Sequence, residues 1–382
     1  MTRDEHHEGR APHQWAGLFL GPALAIAMLL SGAPEGLSDA AWRTASMGIL
    51  MAVWWATEAV PIAVTALLPL VVFPLFDIAS IHDTARPYSN KVIYLFLGGF
   101  IVAFAMQRWN LHRRIALNVL QVVGGNGRSL VGGFMIASAI ISMWVMNTST
   151  TMMLLPIAVS IIGVIHSSVS TLTEKGKQDF QYALLLGIAY SATIGGMTTL
   201  VGTVPNALLA AFMLDTYGNE IDFARWMLVG IPLAAVMLPL SWLVLTRIVF
   251  KVDFETSAEA RSELRRMKQE MGRISVPEFR IAVIFSCMAL LWMTRPLLTN
   301  LPGLSALDDS GIAMAGAIAL FLVPSGSKED PLLLRWSYAE RLPWGVLILF
   351  GGGLTLASAV SNTGLAEWLG MSLQAIGDLP LW

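Results

Sequence analysis

Long apolar runs separated by short polar stretches dominate this chain. A membrane-spanning helix needs about 20 consecutive apolar residues, and most of the runs approach that length. The runs cover residues 15–30, 44–60, 61–76, 92–107, 226–246, 281–294, 311–324 and 343–360. This pattern predicts an all-α polytopic membrane protein, in which residues 1–43 form an N-terminal tail and the first transmembrane helix.

Two further stretches are apolar at their ends but polar in their middles. Residues 129–173 and 180–214 contain no Asp, Glu, Lys or Arg, and their centres read SMWVMNTSTTMMLLP and SATIGGMTTLVGTVPN. Small polar residues and prolines at membrane depth are typical of backbone that leaves a helix to line a cavity. We therefore expect a re-entrant hairpin at about 129–165 and an interrupted span at about 180–214.

Composition excludes several classes of protein. Charged residues make up 13% of the 382 residues, against about 25% in soluble domains. The net charge of -2 provides no basic field, so we expect no nucleic-acid partner. One cysteine cannot form a disulfide within the chain, and all six histidines lie in the polar tail or near the ends of apolar runs. We predict neither an enzyme nor a bound cofactor.

The distribution of basic residues predicts an orientation. If the hairpin enters and leaves on one side, a cytoplasmic N-terminus places 19 of the 24 Lys and Arg on the inside. That arrangement satisfies the positive-inside rule. We expect a multi-pass protein of the cell (inner) membrane. Residues 251–280 then form a cytoplasmic interfacial arm, for which a binding module for a cytosolic partner is the alternative.

A short internal similarity predicts a repeat. The segments LFLGGF at 95–100 and LFGGGL at 349–354 begin helices that run in opposite directions in this topology. We infer an inverted-repeat transporter fold, with a first repeat at 44–250 and a second, incomplete repeat at 281–382. The counterpart of Asn147 would fall near position 401, so the chain looks C-terminally truncated. The triplet Ser361-Asn362-Thr363 does not match that counterpart, and we interpret it as an ordinary loop.

Five segments together resemble the divalent anion/sodium symporter family. They read WWATEAVPIAVTALLPLVVFPLF, NKVIYLFLGGFIVAFAMQRWNLHRRIAL, SMWVMNTSTTMMLLPIA, GIAYSATIGGMTTLVGTVPNALLAAF and PWGVLILFGGGLTLASAV. The resemblance implies a secondary active transporter of di- or tricarboxylates or sulfate, usually coupled to sodium. It also implies a homodimer with elevator or rocking movement. A dicarboxylate of the succinate, malate or fumarate class is the first expectation. A sodium-independent anion exchanger, a sulfate or citrate carrier, and a truncated non-transporting half-protein are the alternatives.

The resemblance also implies individual roles. Asn147, Thr148 and Thr203 would bind the substrate, while Ser142, Asn147 and Gly202 would hold a sodium ion. Where the family has Ser-Asn-Thr, this chain has Met146 in place of the serine. Apart from the resemblance, polar residues in membrane helices often only bond neighbouring helices, and that reading stays open for Asn147 and Ser142.

One acidic residue lies within the predicted spans. Glu58 precedes Pro61, where two apolar runs meet. An ionisable residue in a membrane is by default a functional candidate. We favour a structural role, in which Glu58 caps the helix that begins near Pro61.

Overall fold

The computed structural model describes residues 10–122, 125–169, 171–328 and 330–377. Residues 1–9 of the predicted tail and 378–382 of the predicted second repeat lie outside the described residues. The described helices are α1 (Pro12–Ser31), α2 (Asp39–Thr57), α3 (Ile62–Thr65), α4 (Leu68–Leu75), α5 (Ile81–Ala85), α6 (Lys91–Arg108), α7 (Leu111–Val122), α8 (Gly127–Ser142), α9 (Asn147–Ser168), α10 (Glu174–Gly196), α11 (Val204–Tyr217), α12 (Phe223–Leu243), α13 (Ala258–Glu270), α14 (Val276–Leu298), α15 (Asp309–Leu322), α16 (Trp336–Ala339), α17 (Trp344–Asn362) and α18 (Leu365–Gly377).

The prediction of an all-α polytopic membrane protein is confirmed. Within the described ranges, six helical segments are long and apolar enough to cross a bilayer: Pro12–Ser31, Ile81–Arg108, Asn147–Ser168, Phe223–Val249, Val276–Leu298 and Trp344–Asn362. The second of these segments contains α5 and α6, and the fourth is α12 together with the π-helix that continues it to Val249. The apolar run 61–76 is not one helix but two, α3 and α4. Its second helix carries Pro69 in its first turn, where the missing N–H of proline does no harm.

The predicted role of Glu58 is wrong. Glu58 is the C-cap of α2, with a left-handed backbone (φ 48°) and its N–H bonded to the carbonyl of Trp54. The next helix begins after Pro61, which makes no side-chain cap. Glu58 therefore ends one helix by its backbone conformation instead of capping the following helix with its carboxylate.

The described residues divide into two compact units. The first consists of residues within Met1–Ile93, Ala211–Asn219 and Pro343–Trp382. In it α1 and α2 pack closely, and the Ser46 hydroxyl donates to the Ala25 carbonyl at 2.8 Å. A Cβ at Gly352 would lie 2.3 Å from the Ala66 carbonyl oxygen, so glycine lets α17 approach this backbone.

The second unit consists of Tyr94–Ala210 and Glu220–Leu342. Its core lies among α7, α8, α9, α10 and α13, where one large apolar cluster is buried. Helices α8 and α10 pack backbone to backbone, because a Cβ at Gly195 would lie only 2.2 Å from the Ala139 carbonyl oxygen. The Ser138 hydroxyl joins the same two helices by donating to the Ile188 carbonyl at 2.9 Å.

The predicted arm contains α13, whose apolar face packs on α7 and α9. Leu264 and Met267 are buried in that contact. Beside the arm, Arg114 pairs with Glu278 at 3.0 Å and also donates to the Gly272 carbonyl. The arm is thus fixed to the second unit by both apolar and ionic contacts.

The close approach of α8 and α10 makes a prediction about stability. Changing Gly195→Ala adds a methyl group against fixed backbone, and overpacking of this kind costs about 1–3 kcal/mol. We expect a clearly lower melting temperature for detergent-purified protein, measured by differential scanning fluorimetry. Gly163→Ala is the matched control, because no atom lies within 4 Å of its added Cβ. Equal melting temperatures for the two variants would contradict the close approach.

Candidate functional site

The first part of the site is the turn between α8 and α9. Helix α8 ends at Ser142 and α9 begins at Asn147, with residues 143–146 between them. Met146 is the N-cap of α9, and its extended backbone (φ -51°, ψ 141°) starts the helix without a side-chain cap. The first N–H groups of α9 therefore donate no hydrogen bond to the Met146 side chain.

Two of the predicted sodium ligands meet across this turn. The Ser142 hydroxyl donates to Asn147 Oδ1 at 2.8 Å, and Ser142 is fully buried while Asn147 is half-buried. The Thr150 hydroxyl donates to the Val145 carbonyl at 3.4 Å. Two side-chain hydroxyl groups therefore donate hydrogen bonds to polar atoms at the turn, one to the Asn147 amide oxygen and one to the Val145 carbonyl.

The second part of the site is the break between α10 and α11. Helix α10 ends at Gly196 and α11 begins at Val204. The Asn206 amide spans the break, since its Nδ2 donates to the carbonyls of Gly196 (2.9 Å) and Thr199 (2.7 Å). The Gly202 N–H in turn donates to the Thr199 hydroxyl at 3.1 Å. The Asn206 side chain thus provides donors for two carbonyl groups at and just beyond the end of α10.

The turn and the break touch each other. The Thr199 hydroxyl donates to the Met143 carbonyl. A Cβ built at Gly196 would lie 2.4 Å from Asn147 Oδ1 and 3.2 Å from the Gly202 carbonyl oxygen. Both oxygens therefore lie beside the bare Cα of Gly196, and Ser142 is bonded to the first of them. The structure thus brings together Ser142, Asn147 and Gly202.

The two predicted substrate contacts lie at the start of helices. Thr148 is exposed in the first turn of α9, and Thr203 is half-buried immediately before α11. The N-terminal N–H groups of a helix favour anions, because they carry partial positive charge and lack intrahelical acceptors. Both stretches that build the site contain no charged residue over 129–173 and 180–214. The turn and the break therefore supply neutral oxygens and helix N-termini.

Sequence reasoning did not assign roles to Thr199, Asn206 or Gly196. All three lie in the segment GIAYSATIGGMTTLVGTVPNALLAAF that resembles the family, and the density of small polar residues there was a second signal. Their partners lie too far along the chain for helical spacing to reveal.

Comparisons with known proteins match almost the whole chain. A family model described as the sodium:sulfate symporter transmembrane region matches residues 12–378. The chain is 41% identical over 372 residues to a sodium-dependent dicarboxylate transporter of Staphylococcus saprophyticus. The aligned residues make up 96% of this chain and 72% of that protein. It is 40% identical over 369 residues to the transporter of the same description in Staphylococcus aureus, with coverages of 96% and 71%.

The family model covers far more than half of the chain, and the similarity to these relatives extends through both the turn and the break. The chain therefore belongs to the family of sodium:sulfate symporters, the divalent anion/sodium symporter family that its motifs resemble.

Proposed function

We propose that this protein is a secondary active transporter that moves dicarboxylates of the succinate, malate and fumarate class together with sodium. The observation that carries the proposal is the convergence of three neutral oxygen groups, on Ser142, Asn147 and Gly202, beside the glycine of a helix break. The relatives in the two Staphylococcus species are sodium-dependent dicarboxylate transporters, which supports the same substrate and coupling ion.

The coupling follows from electrostatics. A dicarboxylate brings two negative charges into a site whose own segments carry no positive side chain. Charges that leave water need compensation. Helix N-termini at α9 and α11 supply part of it, and a sodium ion beside the anion supplies a full charge. Sodium thus makes the anion site favourable, and the anion makes the sodium site favourable.

In this proposal, Ser142, Asn147 and the Gly202 carbonyl hold sodium. Asn147, Thr148 and Thr203 contact the substrate carboxylates. Carbonyl, amide and hydroxyl oxygens suit a hard cation, whereas hydroxyl, amide and N-terminal N–H groups donate to an anion. Asn147 serves both ligands, since its side chain offers an oxygen to the cation and an N–H₂ group to the anion.

The proposal includes a setting in the membrane. The protein crosses the cell (inner) membrane several times with its N-terminus in the cytoplasm, works as a homodimer, and uses elevator-type alternating access. A first inverted repeat at 44–250 contains the hairpin and the interrupted span, the 251–280 arm lies on the cytoplasmic face, and 281–382 belongs to the second repeat. The basic residues of the predicted inner loops support this orientation.

A sulfate carrier is the second candidate, because the description of the family model names sulfate. The described residues of the turn and the break have no feature that requires two carboxylates instead of one tetrahedral dianion. Competition for uptake of radiolabelled succinate by excess sulfate, citrate or fumarate distinguishes these substrates. A sodium-independent exchanger would take up succinate equally well in sodium and in choline buffer when the vesicles are preloaded with anion.

Asn147→Ala should abolish sodium-stimulated uptake, because it removes an oxygen ligand and an N–H donor at once. The measurement is uptake of radiolabelled succinate into proteoliposomes in sodium against choline buffer. Asn362→Ala is the matched control, since it changes the asparagine of the Ser-Asn-Thr triplet at the end of α17, where Asn362 bonds Ser358. Full uptake by the Asn147 variant would place the site elsewhere.

Gly196→Ala should weaken sodium binding specifically. The added methyl group would lie 2.4 Å from Asn147 Oδ1 and would push this oxygen away from the Gly202 carbonyl. We expect the rise in melting temperature on adding sodium to disappear or to require at least about tenfold more sodium, equivalent to about 1.4 kcal/mol. Gly163→Ala controls for the insertion of a methyl group into a helix, and an unchanged sodium response of the Gly196 variant would argue against this sodium site.

Met146→Ser should raise the stability of α9 and weaken anion binding. A serine at the N-cap accepts a hydrogen bond from an N–H in the first turn, which contributes about 0.5–2 kcal/mol to helix stability. The same bond withdraws a donor from the substrate. We expect a higher melting temperature together with a changed ratio of KM values for succinate and sulfate. Met146→Ala is the control that separates loss of the thioether from gain of the hydroxyl. Identical transport kinetics in the wild type and both variants would show that position 146 does not affect substrate binding.

A further inference from the structure

A cluster of four aromatic rings borders the turn between α8 and α9. Trp144 lies in this turn, two residues after Ser142 and three before Asn147. Its ring is stacked on Phe223 (centroids 5.9 Å apart, 15° between planes) and on Trp292 (6.3 Å, 7°). Phe285 meets the Trp144 ring edge-on at 4.8 Å. Helices α12 and α14 therefore contact the turn through their aromatic side chains.

The surface on which Trp144 rests is itself fixed. Phe223 and Trp292 stack on each other at 4.5 Å, and both side chains are almost fully buried. Asp309 joins them, because its carboxylate accepts the Phe223 N–H at 2.9 Å and its carbonyl accepts the Trp292 indole N–H at 3.0 Å. Arg295 pairs with the same carboxylate at 3.2 Å. The two rings under Trp144 thus share one anchoring residue.

Helix α12 also supports the break between α10 and α11. The Trp226 indole N–H donates to the Met197 carbonyl at 2.9 Å. A Cβ at Gly230 would lie 2.8 Å from the Cα of Thr198, so α12 lies directly against the backbone of the break. One helix therefore contacts both the turn that carries Asn147 and the break that carries Gly202.

We propose that Trp144 is a positioning residue for the sodium site: its stack on Phe223 and Trp292 holds the turn at the distance from the break at which Asn147 and Gly202 share one cation. This inference rests on the proposed sodium-coupled function. A cluster of neutral oxygens attracts a cation only when their geometry is maintained, and a supporting shell of packed side chains maintains it. Without the stack, sodium binding would have to order the turn and would become weaker.

The test compares two substitutions of Trp144. In Trp144→Ala the stack is lost, whereas Trp144→Phe keeps an aromatic ring at the same position. We expect the alanine variant to raise the sodium concentration for half-maximal thermal stabilisation at least about tenfold, equivalent to about 1.4 kcal/mol. We expect the phenylalanine variant to recover most of the sodium affinity, and kcat for succinate at saturating sodium to stay close to that of the wild type. A purely structural role would lower the melting temperature without sodium and leave the sodium dependence unchanged.

Phe254→Leu is the matched control, because it removes an aromatic pair of the same unit, Phe180 with Phe254 at 5.2 Å, away from the site. If Trp144→Ala does not fold, Phe223→Leu decides, because it removes one of the rings on which Trp144 is stacked, and a normal sodium dependence of that variant would overturn the inference. An equal rise in the control would also overturn it. A wild-type protein without any sodium response would overturn the proposed function itself, and the inference with it.

Discussion

Backbone that leaves a helix inside a bilayer must find hydrogen-bond partners within the protein, because the lipid offers none. Among the described residues, two interruptions of helices, the turn between α8 and α9 and the break between α10 and α11, find such partners, and one of the bonds joins the two. The Thr199 hydroxyl of the break donates to the Met143 carbonyl of the turn, and the Asn206 amide donates to two carbonyls of the break. The polar residues that satisfy the two interruptions therefore lie in the same two segments as the candidate ligands Ser142, Asn147 and Gly202.

The ion pairs of the second unit lie outside the two charge-free segments, 129–173 and 180–214. Arg108 with Asp330, Arg114 with Glu278 and Arg295 with Asp309 join loops, helix ends and the arm. The Arg108 guanidinium donates to Asp330 and holds the pKa of that carboxyl below its usual range. Such a pair contributes stability above the ordinary pKa of aspartate and loses it only as the pH falls through the lowered value. Near neutral pH the Arg108–Asp330 pair therefore stays charged.

Sequence alone predicted the all-α membrane fold and the two segments in which helices are interrupted. Freedom from charge over 129–173 and 180–214, combined with glycine and proline in their centres, indicated where helices end. Periodicity could not reveal contacts between distant residues. Asp309 accepts the N–H of Phe223, which lies 86 residues earlier in the chain, and also the indole N–H of Trp292, and Trp144 is stacked on both rings. The error at Glu58 has a similar origin, because a left-handed backbone at a helix end depends on how the chain must turn next and not on the charge of its side chain.

Two adjacent glycines of α10, Gly195 and Gly196, connect the packing of helices to the geometry of the proposed sodium site. Successive helix positions point about 100° apart, so Gly195 and Gly196 face different neighbours. Gly195 lets α10 approach the backbone of α8 at Ala139, and Gly196 leaves space beside Asn147 Oδ1. The first contact sets how close α10 lies to the helix that ends at Ser142. The contact between Gly196 and Asn147 depends on this helix spacing, because Ser142 at the end of α8 is hydrogen-bonded to Asn147 across the turn. Helix packing therefore helps to set the distance between the Asn147 and Gly202 oxygens, and a change in either contact should alter affinity at the proposed sodium site.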